Sequence, residues 1–322
     1  MELQKESGVD IARLKRLGSS AMLPFFIVAM AVAATIAEPK FATVDNLLNL
    51  ATQMMPLLIL AVGQTFAIIS GGLDLSLAAV MSLAGVIGVL TMADYGPFAG
   101  VAMMLVTGIV MGSLSGGIIA YFGVSPLVVT LGILSVAQAG ALILSSGVPI
   151  YNIDQSYAGA IGFGTLLGIP SMVWIGVACA IVGGLVMRHT VFGRHVYAVG
   201  SSVSAATKSG VNVKLTTVLV YAASGLCAAL GSVVLTAWVG SAQPVAAPNL
   251  TLESLAAVVL GGVALTGGSG GIIQAVYGVI ILSMLSNIMN MIGVSAYYQT
   301  LVIGVVIIIA VILDRLRTVA AR

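Results

Sequence analysis

The stretch "ISGGLDLSLAAV", residues 69–80, sets a carboxylate, Asp74, between a glycine pair and an apolar run. Elsewhere the chain avoids charge: 60% of its 322 residues are hydrophobic and 7% are charged, with a mean hydropathy of +1.17. An ordinary soluble domain carries about 25% charged residues, so this composition is that of an integral membrane protein. The acid needs a reason, because an ionisable group inside a membrane segment is costly and marks a site or a helix cap. The net charge of +2 is too small to point to nucleic acid. Cys179 and Cys227 stand far apart without metal-ligand spacing and read as two buried thiols.

A hydrocarbon core of about 30 Å needs roughly 20 apolar residues per crossing. About ten stretches qualify, near 21–37, 47–70, 76–93, 98–121, 127–146, 171–187, 216–239, 254–267, 271–291 and 299–313. The expected fold is therefore all-α and polytopic, with about ten transmembrane helices. The eighth stretch is short and runs into "GGVALTGGSGG", the mark of a broken span. "AVA" at 31–33 looks like a signal-peptide cleavage site, but the polar lead holding Glu2, Glu6 and Asp10 makes a poor n-region, so the first stretch is read as a span.

Eleven of the twelve Lys and Arg fall in three places: Lys5, Arg13, Lys15 and Arg16; Arg188, Arg194, Lys208 and Lys214; Arg315, Arg317 and Arg322. An even number of crossings separates these segments, so all three are expected to be cytoplasmic, the two chain ends included. The implied organisation is a cytoplasmic segment 1–20, one membrane domain over 21–315 and a cytoplasmic tail over 316–322.

The membrane domain carries a repeat. "SLAAVMSLAGV" at 76–86 opens the third span and "SLAAVVLGGVA" at 254–264 the eighth, while "FGVSPLVVTLG" at 122–132 leads into the fifth and "IGVSAYYQTLVIG" at 292–304 into the tenth. Both offsets are five spans, which gives the halves, about 21–146 and 171–313, opposite orientation: an inverted 5+5 repeat. Asp74 and Glu253 then stand at matching helix starts, where an acid accepts unpaired N–H groups and meets the positive end of the dipole. Each is expected either to cap its helix or to shape a gate or polar path. Gln53, Gln64, Asn287 and Asn290 are further polar residues inside spans; amides suit a neutral hydroxylated solute, and equally serve as interhelical hydrogen bonds.

Residues 188–215, "RHTVFGRHVYAVGSSVSAATKSGVNVKL", are too short for a domain. Within them a short exposed helix is expected, with Ser201 or Ser202 as N-cap, Ala205 and Ala206 as helix formers, and Gly210 as the stop after Lys208 and Ser209. Its small residues would fit a partner's groove.

Taken together, "FATVDNLLNL", "GQTFAIISGGLDLSLAAVMSLAG", "YFGVSPLVVTLGILS", "FGRHVYAVGSS" with "AATKSGV", and "LESLAAVVLGGVALTGGSGG" resemble the ribose-type, or monosaccharide, permeases of bacterial ABC importers, from about residue 20 to 315. The resemblance implies an inner-membrane subunit that pairs with a second permease, as a homo- or heterodimer. It also implies a cytoplasmic ATPase and a periplasmic solute-binding protein that delivers a monosaccharide or similar small polar solute. Gly200, Ser201, Ser202, Ala205, Ala206, Lys208, Ser209 and Gly210 would carry the coupling helix. The chain departs from the family pattern at 201–208, where serines, Thr207 and Lys208 replace an Asn pair, acids and an Arg, and in "GGSGG" at 267–271, which lacks a basic residue. No G-x-x-x-x-G-K-[ST] phosphate loop occurs, so the chain is expected to bind no cofactor itself, with ATP and magnesium on the partner ATPase. Two alternatives stay open: an ion-coupled secondary transporter using Asp74 and Glu253, or an ABC permease for nucleosides or branched-chain amino acids.

Overall fold

The computed structural model describes the backbone of residues 6–320 and the side chains of 22–309, 311 and 312; the basic residues expected at both chain ends lie outside the described side chains. The described chain is predominantly helical. In order it forms α1 (Glu6–Ala37), a 3₁₀ turn (Pro39–Ala42), α2 (Val44–Gln53), α3 (Met55–Ile69), α4 (Leu77–Tyr95), α5 (Pro97–Phe122) and α6 (Pro126–Leu144). A connecting segment follows with α7 (Gln155–Tyr157), a π turn (Ala158–Gly162) and the strands β1 (Thr165–Leu166) and β2 (Ile169–Pro170). Then come α8 (Ser171–His189), α9 (Val191–Ser201), α10 (Val203–Lys208), α11 (Val213–Val239), α12 (Leu250–Leu260), α13 (Ile272–Met291) and α14 (Ala296–Ala320).

Six of these helices, α4, α5, α6, α8, α11 and α13, are long and apolar enough to cross a membrane, and α2 with α3 makes a seventh as a pair bent by 41°. The bend falls at Pro56, whose ring nitrogen has no hydrogen to donate one turn back. The second apolar stretch is thus two helices. Shorter apolar helices cover Met22–Ala37, Leu250–Leu260 and Ala296–Ile309. The eighth stretch is helical only as far as Leu260, and the glycine-rich run after it is loop.

Small residues set the packing, since two apolar helices in lipid are held by close backbone approach. The most extensive contact is between α5 and α11. Gly108, Gly112 and Gly116 repeat every fourth residue along α5, and Cβ atoms there would lie 2.2 Å from the Gly225 carbonyl oxygen, 2.1 Å from that of Tyr221 and 2.7 Å from the Val218 Cα. At the centre, α3 is buried along its whole length. Its residues join both main core clusters, one with α8, α12 and α13 and the other with α4, α5 and α11.

One end of the bundle carries the 70–76 segment, α9, α10 and the 261–271 loop. The other is closed by an isolated bridge, in which Ile150 and Ala242 exchange backbone hydrogen bonds of 2.9 Å. At that end Gln138 Nε2 also donates to the Pro244 carbonyl at 2.6 Å.

Candidate functional site

The helix ends at Ile69 and does not resume until Leu77. Non-helical backbone inside a membrane protein persists only where the protein itself satisfies its polar groups. Here it does. Gly71, with φ +86°, turns the chain, and the Gly72 amide donates to the Ala67 carbonyl at 2.9 Å. The Leu73 carbonyl accepts from the Tyr221 hydroxyl at 3.3 Å. Asp74, only 1% exposed, accepts at Oδ1 from the Ser76 amide (3.0 Å) and hydroxyl (2.6 Å), and at Oδ2 from the Ser224 hydroxyl on α11 (2.7 Å). The carboxylate is the anchor of the break: it ties the start of α4 to α11. A Cβ at Gly72 would stand 2.3 Å from the Tyr221 hydroxyl, so any larger residue there must displace the side chain that bonds the Leu73 carbonyl.

The starts of α4 and α12 meet. The Ala78 amide donates to Thr251 Oγ1 at 2.9 Å, and the Ala246 amide, in the irregular segment before α12, donates to Ser82 Oγ at 3.0 Å. Thr251 thereby satisfies one of the orphan amides that open α4. Glu253 lies two residues further along α12, half-buried, with no hydrogen-bond or ionic partner among the described residues.

Gln53 joins it. The two line one open cleft of about 130 Å³ with Ser283 and Ser286 of α13, between apolar walls that include Leu50, Leu250 and Ile303. The other expected path residues lie apart from this cleft. Asn287 and Asn46 exchange reciprocal amide hydrogen bonds of 3.1 Å each, and Asn290 accepts from Gln299 at 2.6 Å, so both act as interhelical or local ties. Gln64 is fully buried in α3, and neither atom of its amide has a partner within the described chain.

The 188–215 segment is two helices where the sequence reading expected one. In α9, Thr190 caps the start by accepting from the Gly193 amide, and Val196 and Val199 are buried. Phe192 stacks on Phe66 of α3 with ring centroids 6.1 Å apart. At its far end Gly200 lies against the end of α3, where a Cβ would fall 1.8 Å from the Ile69 carbonyl oxygen. That same oxygen accepts from the Gly268 amide at 2.9 Å. Tyr197 adds a second tie, donating to the Gly270 carbonyl at 2.8 Å, and burial raises its phenol above the ordinary value, which keeps it a neutral donor. Three chain segments therefore converge on one peptide group: the end of α3, the end of α9, and the glycine loop after α12.

Beyond this joint, α10 starts with Ser202 as N-cap, accepting from the Ala205 amide, and ends at Lys208, with Gly210 at φ +81°. Ser201, Ser202, Ala205, Lys208, Ser209 and Gly210 are exposed; Ala206 is not, at 3% exposure. Ala206 faces its own chain and is removed from the surface that a partner can reach. At the exit of this segment Lys214 lies over the Tyr121 ring, 5.2 Å from its centroid, linking the ends of α5 and α11. Tyr221, Ser224, Thr251, Ser283 and Ser286 complete the site without any local signal except the i, i+3 spacing of the two α13 serines.

An apolar helical bundle whose buried helix α3 gives way to a satisfied non-helical segment, with a small capped helix mounted beside it, is that of a multi-pass membrane protein. Residues 46–311 match the family described as the branched-chain amino acid transport system / permease component, and the chain belongs to that family. It is 34% identical over 292 residues to the ribose import permease protein of Escherichia coli K12, covering 89% of this chain and 91% of the relative. The ribose import permease protein of Bacillus subtilis is 35% identical over 304 residues (94% and 93% covered), and the L-arabinose transport system permease protein of Escherichia coli K12 is 35% identical over 302 (94% and 92%). No solved structure matches the chain.

Proposed function

We propose that this chain is the membrane-spanning subunit of a bacterial inner-membrane ABC importer, translocating a monosaccharide delivered by a periplasmic binding protein. The relatives named for ribose and L-arabinose import support the substrate class. In this reading the ten apolar stretches are ten crossings in two inverted halves, one domain over 21–315, with both chain ends and the 188–215 segment in the cytoplasm. A second permease copy or paralogue completes the path, and a partner ATPase holds ATP and magnesium.

The observation that carries the mechanism is the joint at the Ile69 carbonyl. Nucleotide-driven closure of the ATPases would push on α10; α10 is joined to α9 by the single extended residue Ser202, and α9 bears on the end of α3 through Gly200. A displacement there acts on the turn at Gly71 and on the extended segment that Asp74 anchors. The starts of α4 and α12 then shift together, because Thr251 holds the Ala78 amide. Energy enters as displacement of a backbone contact, with no reacting side chain needed.

The test is co-purification with the ATPase and ATP-driven sugar uptake into proteoliposomes. Ala205→Glu, on the exposed face of α10, is expected to lose the ATPase subunit and uptake together while the permease stays folded. Uptake driven by a proton or sodium gradient without the ATPase would overturn the reading.

A further inference from the structure

We infer that the cleft between α2, α12 and α13 is a solute contact site on the permease itself, built for a neutral polyhydroxylated ring; this rests on the importer reading above. The cleft is lined by Gln53, Glu253, Ser283 and Ser286 among the leucines and Ile303. Leu50 with Gln53 on α2, Leu250 with Glu253 on α12, and Ser283 with Ser286 on α13 are each three residues apart and share a helix face; Leu57 of α3 and Leu282 add apolar wall. Asp74, the acid ahead of the matching run in the other half of the chain, is engaged by serines, whereas Glu253 has no partner among the described residues. The two serines likewise do not bond back to the preceding turn, as Thr91, Thr107 and Ser115 do.

The set discriminates between solutes. A carboxylate accepts hydrogen bonds from neighbouring hydroxyls, an amide both donates and accepts, and serine hydroxyls do either. Among the described residues no basic side chain lines the cleft, so an anion would find only the acid Glu253 there, and a single carboxylate with one amide and two hydroxyls is a poor cage for a hard cation, which takes six or more oxygens. Leucine walls suit the C–H faces of a sugar ring. The cleft is adjacent to the tip contact of α4 and α12, so a solute held there would sit beside the element that the joint moves.

The experiment uses the complete transporter with its ATPase and binding protein in proteoliposomes. Wild type is first offered a panel of pentoses and hexoses; the sugar carried fastest and its single-deoxy analogues then serve as probes for Glu253→Gln and Ser286→Ala. Loss of one charge-assisted hydrogen bond predicts about a tenfold fall in sugar moved per ATP for Glu253→Gln. One deoxy analogue, lacking the hydroxyl that meets Glu253, should be carried equally by wild type and variant. Unchanged sugar per ATP, or an equal loss for every analogue, would overturn the contact site while leaving the importer reading intact. Absence of ATP-driven uptake of any sugar by wild type would overturn both.

Discussion

Ser224 is 150 residues from Asp74 in sequence and 2.7 Å from it in space. That contact explains how a carboxylate persists at 1% exposure in an apolar bundle: three donors converge on it, two of them from Ser76. The local bonds of Asp74 to Ser76, two residues on, were within reach of the sequence, although Asp74 accepts from none of the α4 amides and the N-cap of that helix is Ser76; Ser224 was not legible, because only the packing of α11 against this segment brings it near. Removing the Ser224 hydroxyl leaves Oδ2 of a buried carboxylate without a donor, which costs about 1–3 kcal/mol. Ser224→Ala is thus expected to lower the thermal unfolding midpoint of the purified chain in detergent. Asp74→Asn, which keeps an acceptor for both Ser76 donors, should cost less than Asp74→Ala. Equal stability of wild type and Ser224→Ala would contradict the anchoring role. Asp74 and Glu253 precede the same Ser-Leu-Ala-Ala-Val run, but Asp74 stands ahead of α4 and meets serines while Glu253 stands inside the first turn of α12 and meets a cleft, so matching sequence context gave the two acids different surroundings.

Among the elements, α10 was readable from its caps, since a serine at one end and a glycine at the other leave few choices for a six-residue helix. Its mount was not. Gly200 sits inside an amphipathic helix where alanine would raise local helix propensity by up to about 1 kcal/mol, and nothing in the spacing announces that a carbonyl oxygen occupies the place of its side chain. The glycine stripe of α5, which the structure shows packed on α11, yields a paired prediction. Gly112→Val puts bulk where a Cβ already meets the Tyr221 carbonyl oxygen at 2.1 Å, so α5 and α11 must part; Gly117, with nothing within 4 Å of its Cβ position, is free of that constraint. Gly112→Val is expected to remove protease-resistant protein from the membrane fraction. Gly117→Ala should leave it intact and raise stability by up to about 1 kcal/mol. Comparable behaviour of the two variants would show that the stripe does not hold the helices together.

For the whole molecule, the proposed orientation makes one end cytoplasmic, with α9, α10 and the glycine loop, and the other periplasmic, with the 145–170 and 240–249 segments. Single cysteines at Ser204 and Phe163, both exposed, are expected to react with a membrane-impermeant maleimide from opposite sides of sealed vesicles in a Cys179→Ser, Cys227→Ser background. Labelling from the same side would break the crossing count. The positive-inside pattern was enough to propose this arrangement, but not to show that the loops at one end share a single joint, because that convergence belongs to the packed bundle. The central claim is that displacement of α10 reaches the 70–76 break through the contact of Gly200 with the Ile69 carbonyl. Its most direct test is sugar moved per ATP hydrolysed by the reconstituted complex of Gly200→Ala, whose added methyl would fall 1.8 Å from that oxygen and must shift α9 from α3. The account predicts that the ATPase still co-purifies and hydrolyses ATP while sugar moved per ATP falls about tenfold, equivalent to about 1.4 kcal/mol of lost coupling. A ratio equal to that of wild type would contradict it.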